Sequence, residues 1–459
     1  MEYISTRNTK KTFSFCDVFL KGLAPDGGLF VPKKIPSLSQ NELTKFSKLS
    51  YKELAAKLIV KFCGNEFSEI EIQNLVNKSY KDFRAKDVVT ISKLEKINLL
   101  ELFHGPTLSF KDIAMQIIGN MYEKILEKNN KKINVVVATS GDTGAAAAAA
   151  IKDRRNMKIF VLHPENKISE IQRKFMTTIN SNNLFNISIS GNFDDCQDFV
   201  KLMFADRNFS NKINMSGVNS INWARIVFQT IYYFFCYFKI SNQSEKINFS
   251  VPTGNFGDIY AGYIAKKMGL PINKLLIATN KNDILKRTIN SGYYKPLKVQ
   301  HTLSPSMDIQ IASNFERLIF DVMGSNPEKT LELMNNLNTK GQFKIEDKEL
   351  KKINETFCSE SLSEEETVFT INKVYKNHKI LIDPHTAVGI GVMEKILPKG
   401  KNVVLATAHP SKFSDVVTRS TSIKPELPEN LKSILIKNEK YDILDKDLKK
   451  IKSYILDRI

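Results

Sequence analysis

One lysine stands where a turn leads into a helix-like segment, and it is the first candidate for chemistry. Lys111 follows the segment His-Gly-Pro-Thr-Leu-Ser-Phe and precedes Asp112, a residue that favours the first turn of a helix. The positive end of a helix dipole disfavours an ammonium group, and together with partial burial it favours a neutral amine that can form a Schiff base. For any single lysine a solvated surface cation is the simpler interpretation. Lys111 therefore needs support from other residues.

A glycine-containing loop at residues 252–258 could bind a phosphate. It reads Pro-Thr-Gly-Asn-Phe-Gly-Asp and leads into a helical pattern. Glycines let the backbone approach a ligand, and the N–H groups at a helix start attract anions. No lysine follows as in a Walker motif, and no G-x-G-x-x-G pattern is present, so neither nucleotide fingerprint applies. A plain strand-to-helix turn is the alternative. The candidate phosphate-binding residues are Gly254, Asn255, Phe256, Gly257 and Asp258.

Two further features bear on anion binding. The loop 139–144 offers the hydroxyls of Thr139, Ser140 and Thr143 and the carboxylate of Asp142, which could hold a substrate carboxylate or simply cap the helix that follows. Arg225 interrupts an apolar helical segment, so it requires an anionic partner, either a protein carboxylate or a ligand phosphate.

The histidines offer no metal site. His104, His385 and His409 show no metal-ligand spacing with one another or with the cysteines. An amine at a helix start, a phosphate cradle, a carboxylate-binding loop and the threonine of Ala406-Thr-Ala-His-Pro410 together describe a pyridoxal phosphate site.

The elements that must position these residues alternate between strands and helices from about residue 95. Such β–α units predict two parallel-type sheets flanked by helices, preceded by a helix-rich segment over residues 1–92. Ligands bind beyond the carboxyl ends of the strands in such sheets. The predicted strands are 97–103, 133–138, 158–162, 184–190, 247–251, 275–278, 379–382 and 402–406, and the predicted helices include 110–129, 141–151, 169–179, 194–206, 221–240, 257–268, 385–397 and 411–420.

Composition excludes several classes of protein. The 459 residues carry 67 Lys+Arg against 49 Asp+Glu, a net charge of +18, but the basic residues are scattered and no aromatic-interleaved basic stretch suggests nucleic-acid binding. The five cysteines are widely spread without a C-x-x-C pair, which favours a reducing cytoplasm over a disulfide framework. The start of the chain lacks the pattern of a signal peptide. The apolar run 223–240 contains Arg225 and Gln229, so we expect a buried helix there and no membrane span.

Long motifs in the chain resemble those of threonine synthases, in particular the bacterial and fungal branch. The order of the motifs is that of the family from about residue 20 to 415. Ser109 and Thr253 depart from the residues expected, Ala and Ser, without removing a required group. The matching segments are Gly27-Gly-Leu-Phe-Val-Pro32, Leu102-Phe-His-Gly-Pro-Thr-Leu-Ser-Phe-Lys-Asp112, Ala138-Thr-Ser-Gly-Asp-Thr-Gly-Ala145, Gly254-Asn-Phe-Gly-Asp258, Asp383-Pro-His-Thr-Ala387 and Ala406-Thr-Ala-His-Pro-Ser-Lys-Phe413.

The resemblance implies a pyridoxal 5'-phosphate enzyme of the tryptophan-synthase-β fold type, also called fold type II, and assigns roles to residues. Lys111 would hold the cofactor, residues 254–258 would bind its phosphate and Thr407 would face its ring nitrogen. His104 is a further candidate for the substrate pocket. The residues implied to bind substrate are Thr139, Ser140, Asp142 and Thr143 at its carboxylate, and Asn219 and Arg225 at its phosphate.

The implied reaction converts O-phospho-L-homoserine and water to L-threonine and phosphate, with Lys111 as the main acid–base group. The resemblance implies a small mobile domain over 130–215 that closes over substrate, with a large cofactor-binding domain over 93–129 and 216–459. We expect a cytoplasmic monomer or homodimer with no nucleic-acid or membrane partner. Alternatives are a phosphothreonine phospho-lyase or serine/threonine dehydratase on the same scaffold, and a non-enzymatic basic binding protein.

Overall fold

The computed structural model describes residues 1–218, 220–242 and 245–459, and the predicted site residue Asn219 lies outside them. The chain forms two compact units. The first contains Met1–Asn77, Phe83–His104 and the described residues from Ser220 to Pro425. The second contains Lys78–Asp82, residues 105–218 and Glu426–Ile459. The C-terminal segment Glu426–Ile459 belongs to the second unit, whereas the predicted division placed it in the large domain over 93–129 and 216–459. The predicted domains 1–92, 130–215 and 93–129 with 216–459 stay a prediction.

A six-stranded sheet forms the centre of the first unit. Five strands run parallel, and the edge strand Thr90–Leu94 pairs antiparallel with Ile97–Glu101. The inner strands are buried on both faces, as expected for parallel strands covered by helices. The carboxyl ends of the parallel strands share one edge, and the candidate loops at 102–105, 252–258 and 406–409 begin there. Across the sheet the order is Phe357–Ser361, Ile272–Thr279, Ile247–Pro252, Lys401–Ala406, Ile97–Glu101 and Thr90–Leu94.

Helices cover this sheet because their apolar stripes match its faces. Val388 and Val392, for example, pack with Leu276 and Val404 in one buried cluster. The helix Trp223–Ile240 is buried over most of its length, which confirms the prediction for that run. The α-helices are Phe15–Lys21, Gln40–Phe46, Tyr51–Cys63, most of Glu69–Ser79, Trp223–Ile240, Gly257–Lys267, Ile284–Ser291, Phe315–Val322, Pro327–Lys340, Asp347–Thr356, Glu364–His378, Pro384–Ile396 and Ser414–Thr421, with short 3-10 helices at Pro305–Met307 and Pro410–Phe413.

Two small antiparallel sheets complete the first unit, and the sequence patterns did not predict them. The three-stranded sheet consists of Asn8–Phe13, Tyr3–Ser5 and Phe30–Pro32, and the two-stranded sheet of Tyr293–Tyr294 and Phe343–Lys344.

The second unit is built on a parallel five-stranded sheet. One edge strand, Asp442–Leu444, comes from the C-terminal segment, and Ile451 and Ile455 of that segment pack with Phe160 and Ile187 in the core. The strands in order are Asp442–Leu444, Leu184–Ile189, Met157–Pro164, Ile133–Ala138 and Met215–Ser216, and the helices are Lys111–Lys128, Asp142–Ile151, Glu170–Thr177, Phe193–Ala205, Arg207–Lys212, Leu448–Leu456 and the 3-10 helix Glu429–Leu435.

The predicted strand at 379–382 is wrong. The helix Glu364–His378 ends at Lys379, whose left-handed φ of 58° closes it, and the residues up to Asp383 form no strand. Ile382 is instead buried in the helix-covered core of the first unit. The apolar residues of this segment therefore contribute to core packing without forming a β-strand. Across the parts of the chain that the structure describes, no helix is both long enough and apolar enough to cross a bilayer.

Candidate active site

Lys111 occupies the place that the sequence predicts, at the first position of helix Lys111–Lys128. It is 9% exposed, and its Nζ lies 3.4 Å from Oδ2 of Asp142 and 4.8 Å from the centre of the Phe110 ring. The fold thus brings Lys111 to the predicted carboxylate-binding loop. A carboxylate at this distance favours the charged form of a lysine. The expectation of a neutral amine, argued from the helix start alone, did not include this neighbour.

The turn before Lys111 is fixed by Asp112. One carboxylate oxygen accepts a hydrogen bond from the N–H of Thr107 at 2.8 Å, and the other accepts from the Thr107 hydroxyl at 2.7 Å. Gly105 passes so close that a Cβ atom there would lie 2.3 Å from Cβ of Asp112. Leu108 takes a left-handed φ of 61° in the same turn. Asp112 is therefore a structural part of the turn that presents Lys111, in addition to its favourable place in the helix dipole.

The loop 139–144 is organised by Thr139 and Asp142. The buried Thr139 hydroxyl accepts hydrogen bonds from the N–H groups of Gly141 and Gly144, each at 2.9 Å. Asp142 begins the helix Asp142–Ile151, and its Oδ1 accepts a hydrogen bond from Nε2 of Gln172 at 2.9 Å. Thr139 therefore shapes the turn, and Asp142 bridges Gln172 and Lys111. Ser140 and Thr143 are half-buried, and their roles toward a substrate carboxylate stay a prediction.

The loop 252–258 has the backbone of an anion cradle. Phe256 has a left-handed φ of 66° immediately before the helix Gly257–Lys267 and makes no cap hydrogen bond, while Oδ1 of Asn255 accepts from the N–H of Gly257 at 3.1 Å. A left-handed residue at this place turns successive N–H groups toward one point, which suits an anion. An added Cβ at Gly254 would lie 2.9 Å from Cδ1 of Ile309 and 3.0 Å from the carbonyl oxygen of Ser306. This loop therefore fits the phosphate of pyridoxal phosphate, and Gly254 is needed for space.

Asn314 and Arg317 support this cradle, and sequence reasoning missed both. Asn314 donates two hydrogen bonds to the Asn255 carbonyl, from its backbone N–H at 3.0 Å and from its side-chain Nδ2 at 3.1 Å. The fully buried Arg317 donates to Oδ1 of Asn314, to the Phe30 carbonyl at 3.0 Å and to the Ile221 carbonyl at 2.6 Å. A buried arginine in an amphipathic helix pattern was the available signal, but its partners lie far away in sequence.

Arg225 is 4% exposed, close to the start of helix Trp223–Ile240. Burial lowers the pKa of Arg225 to about 10, while Tyr232 and Asp258 act in the opposite direction. Asp258, a predicted cofactor-binding residue, accepts hydrogen bonds at Oδ1 from the hydroxyls of Tyr232 and Tyr233. The fold therefore brings Arg225 into the electrostatic neighbourhood of the predicted phosphate loop.

Thr407 follows the strand Lys401–Ala406 and is buried, and its place opposite the ring nitrogen stays a prediction. The N–H of Leu102 donates to the Ala406 carbonyl at 2.9 Å, which aligns the two loops that begin there. Burial lowers the pKa of His409 to about 4, with Arg84 adding to the effect, so this histidine is neutral at neutral pH.

His104, the further candidate, has protein partners. Its Nε2 lies 2.7 Å from the Thr90 hydroxyl and 3.1 Å from Oε2 of Glu101. These contacts favour a structural role for His104.

Comparison with known proteins settles the family. A family described as "Pyridoxal-phosphate dependent enzyme" matches residues 91–407, flanked by "Threonine synthase N terminus" at 2–80 and "Threonine synthase, C-terminal" at 386–455. Threonine synthase from Pseudomonas aeruginosa is 40% identical over 99% of this chain and 98% of its own length. The chain belongs to the threonine synthase family. Threonine synthase from Saccharomyces cerevisiae is 42% identical over 99% of this chain and 97% of its own.

Solved structures agree with this assignment. A threonine synthase from Brucella melitensis, described as bound to PLP, has a TM-score of 0.97 and 42% identity, and covers 100% of this chain and 99% of its own. The threonine synthase from yeast has a TM-score of 0.95 and 40% identity, covering 100% and 98%. The chain is therefore a pyridoxal phosphate-dependent enzyme of the threonine synthase family. The predicted family, fold class, cofactor and activity are confirmed.

Proposed function

We propose that Lys111 carries the cofactor of this enzyme, which converts O-phospho-L-homoserine and water to L-threonine and phosphate. The observation that carries the residue assignment is the buried Lys111 amine at a helix start, 3.4 Å from the Asp142 carboxylate, inside the segment matched by the pyridoxal-phosphate family. Few lysines are buried in folded proteins, because an ammonium group loses hydration there. A catalytic role explains why Lys111 is buried despite the cost in hydration free energy.

The bound cofactor supplies an electron sink that stabilises negative charge on the carbons from which protons are removed. The Lys111 amine takes the proton at Cα of the substrate and passes it to the substrate phosphate, and it then takes a proton at Cβ. The C–O bond at Cγ breaks and phosphate leaves with the first proton. Lys111 returns the second proton at Cγ, water adds its OH group at Cβ, and Lys111 carries the remaining water proton to Cα. Asp142 favours the protonated form of this amine between transfers, because its charge lies next to Nζ.

Binding of the two phosphates is divided between two groups of residues in this proposal. The N–H groups of residues 254–258 hold the cofactor phosphate, in keeping with the left-handed Phe256 at the helix start. Arg225 and Asn219 bind the substrate phosphate. Arg225 keeps its positive charge at neutral pH even though burial lowers its pKa to about 10. Ser140 and Thr143 supply hydroxyl donors for the substrate carboxylate, and Thr407 presents a neutral hydroxyl to the ring nitrogen.

The site of attachment is tested by reducing the loaded protein with borohydride and mapping the modified peptide by mass spectrometry. We expect modification on Lys111, and no visible cofactor band and no turnover in Lys111→Ala. Lys128→Ala, which removes an exposed lysine at the other end of the same helix, is the control and should behave as the parent protein. Substantial turnover by Lys111→Ala would show that another lysine does the chemistry.

The substrate is tested by incubating the purified protein with O-phospho-L-homoserine and, separately, with phosphothreonine, followed by amino-acid analysis. Threonine formed from the first compound is the expected result. Phosphate released without threonine would favour the phospho-lyase or dehydratase alternative.

We also propose that the enzyme works in the cytoplasm on this small molecule, as a monomer or homodimer. Thiols suit a reducing compartment, and the described cysteines form no disulfide. Light scattering coupled to size exclusion would establish the assembly, and a mass beyond that of a dimer would refute this part of the proposal.

A further inference from the structure

Gln172, in the second unit, contacts Asp142, and Asp142 in turn contacts Lys111. No motif in the sequence points to Gln172. It is 5% exposed, on the helix Glu170–Thr177. Its Nε2 donates to Oδ1 of Asp142 at 2.9 Å, while Oδ2 of the same carboxylate lies 3.4 Å from Nζ of Lys111. The carboxylate of Asp142 thus lies between an amide donor and the lysine amine.

The orientation of the Gln172 amide is fixed by Ser169. The Ser169 hydroxyl donates to Oε1 of Gln172 at 3.0 Å, and it accepts from the Gln172 backbone N–H at 3.3 Å as the helix cap. With its oxygen engaged in this way, the amide must direct its NH₂ group toward Asp142. The reversed amide would place an oxygen against a carboxylate oxygen.

Close packing also holds Gln172 in place. Gly141 lies beneath its side chain, and a Cβ at Gly141 would lie 2.8 Å from Cδ of Gln172. The glycine therefore permits the amide to approach the start of the helix Asp142–Ile151. Gly141 also has a φ of 135°, a conformation that residues with a Cβ rarely adopt.

The helix that carries Gln172 is in turn anchored by the C-terminal segment. Nε and Nη2 of Arg173 donate to the two carboxylate oxygens of Glu439 at 2.8 and 2.9 Å. The Thr177 hydroxyl donates to Glu439 at 2.7 Å, and the N–H of Lys440 donates to the Thr177 carbonyl at 2.7 Å. These contacts hold the middle and the C-terminal end of the helix, so the position of Gln172 is set by more than its own side chain.

We propose that Gln172 is a positioning residue for Lys111: it holds the Asp142 carboxylate in the orientation that pairs with the lysine amine. Because one carboxylate oxygen is fixed by the amide, the direction of the other oxygen toward Nζ is fixed as well. A mobile carboxylate would leave the amine free to adopt other rotamers and would slow its reaction with the cofactor aldehyde. This inference rests on the proposed role of Lys111.

Two substitutions of similar volume separate positioning from packing. Gln172→Leu keeps the bulk but removes the donor. Gln172→Glu keeps the shape, but at neutral pH it places a second carboxylate against Asp142, and it regains an O–H donor when it is protonated. The measurement is the rate at which the purified, cofactor-free protein captures pyridoxal phosphate on Lys111, read as borohydride-trapped peptide between pH 5.5 and 8.5.

At pH 8 we expect capture to be about tenfold slower in both variants, the size of effect that the loss of one hydrogen bond to a charged group gives. As the pH falls, Gln172→Glu should recover relative to Gln172→Leu at the same pH. A packing role alone would not produce that difference. Gln197→Glu, the same change at a half-buried site in the second unit, should follow the parent profile.

The outcomes distinguish the two proposals. Trapping at Lys111 in the parent protein, with Gln172→Leu and Gln172→Glu both following the parent profile, overturns the inference and leaves the proposed function intact. Trapping of a different lysine in the parent protein overturns the proposed function and this inference with it. Thermal unfolding of each variant checks that the protein is folded, and the comparison of Gln172→Glu with itself across pH does not depend on equal stability.

Discussion

Replacing Arg317 by methionine should lower both the stability of the first unit and the affinity for the cofactor. The guanidinium is fully buried and donates to three oxygens, on Phe30, Asn314 and Ile221. It also lies 5.5 Å from the centre of the Trp223 ring. Its partners are a side-chain amide and two backbone carbonyls, so burial costs a great deal of hydration and lowers the pKa of Arg317 to about 10.

The magnitude follows from two opposing effects. Removing the guanidinium leaves three buried acceptors without this donor, at about 1–3 kcal/mol each. Replacing a buried charge by an apolar side chain of similar volume offsets part of this loss of stability, by about 1–4 kcal/mol in comparable cases. We therefore expect Arg317→Met to lower the free energy of unfolding by about 3 kcal/mol.

The functional effect should appear in cofactor binding. Asn314 loses its charged partner, and Asn314 holds the carbonyl of Asn255 in the phosphate cradle. Urea unfolding of the cofactor-free protein gives the stability, and spectroscopic titration with pyridoxal phosphate gives the affinity, which we expect to fall about tenfold for roughly 1.4 kcal/mol of lost preorganisation.

Arg287→Met is the matched control. Arg287 lies in the same unit but is 28% exposed and pairs with Asp283 at 2.8 Å. Its loss should cost at most about 1 kcal/mol and leave cofactor affinity unchanged. If Arg317→Met were as stable as this control and bound the cofactor as tightly as the parent, then Arg317 would not support the cradle.

Two further predictions concern one residue in each unit. Gly254→Ala should weaken cofactor binding at least tenfold with little change in urea stability, since its Cβ would lie 2.9 Å from Ile309 and displace the loop; an unchanged titration would show that the loop can adapt. In the second unit, Arg173 holds the pKa of Glu439 below its ordinary value of 4.5. A carboxyl whose pKa is lowered by folding stabilises the protein above the unfolded value and loses that contribution as the pH falls through the folded value. Glu439→Gln should therefore lower stability by about 1 kcal/mol at pH 7 and by progressively less below pH 4.5, as measured by urea unfolding across pH; a pH-independent difference would contradict an ionic origin.

Local chemistry in the sequence predicted much of the candidate site. The Gly-Pro turn before Lys111 and the acidic residue after it predicted a lysine at a helix start, and the structure begins a helix at that lysine. The loops 139–144 and 252–258 were found because glycines and hydroxyl residues at strand-to-helix junctions have direct backbone consequences. Strand and helix positions followed from periodicity over neighbouring residues, which is why the buried parallel strands were predicted well.

Periodicity was ambiguous where an apolar run was short. Residues 379–382 had the composition of a strand, but three or four apolar residues are buried equally well against helices. The opposite error occurred at Asp442–Leu444, a short strand in a charged segment whose pairing with Leu184–Ile189 depends on a partner far away in sequence.

The supports of the site were decided only by the tertiary structure. Gln172 reaches Asp142 across 30 residues of sequence, and Arg317 reaches the Phe30 carbonyl across 287. No local signal encodes such pairs, because a hydrogen bond between distant segments depends on how helices and sheets pack and not on the order of nearby residues. The sequence by itself thus predicted which groups do the chemistry, and packing decided which groups hold those residues in place.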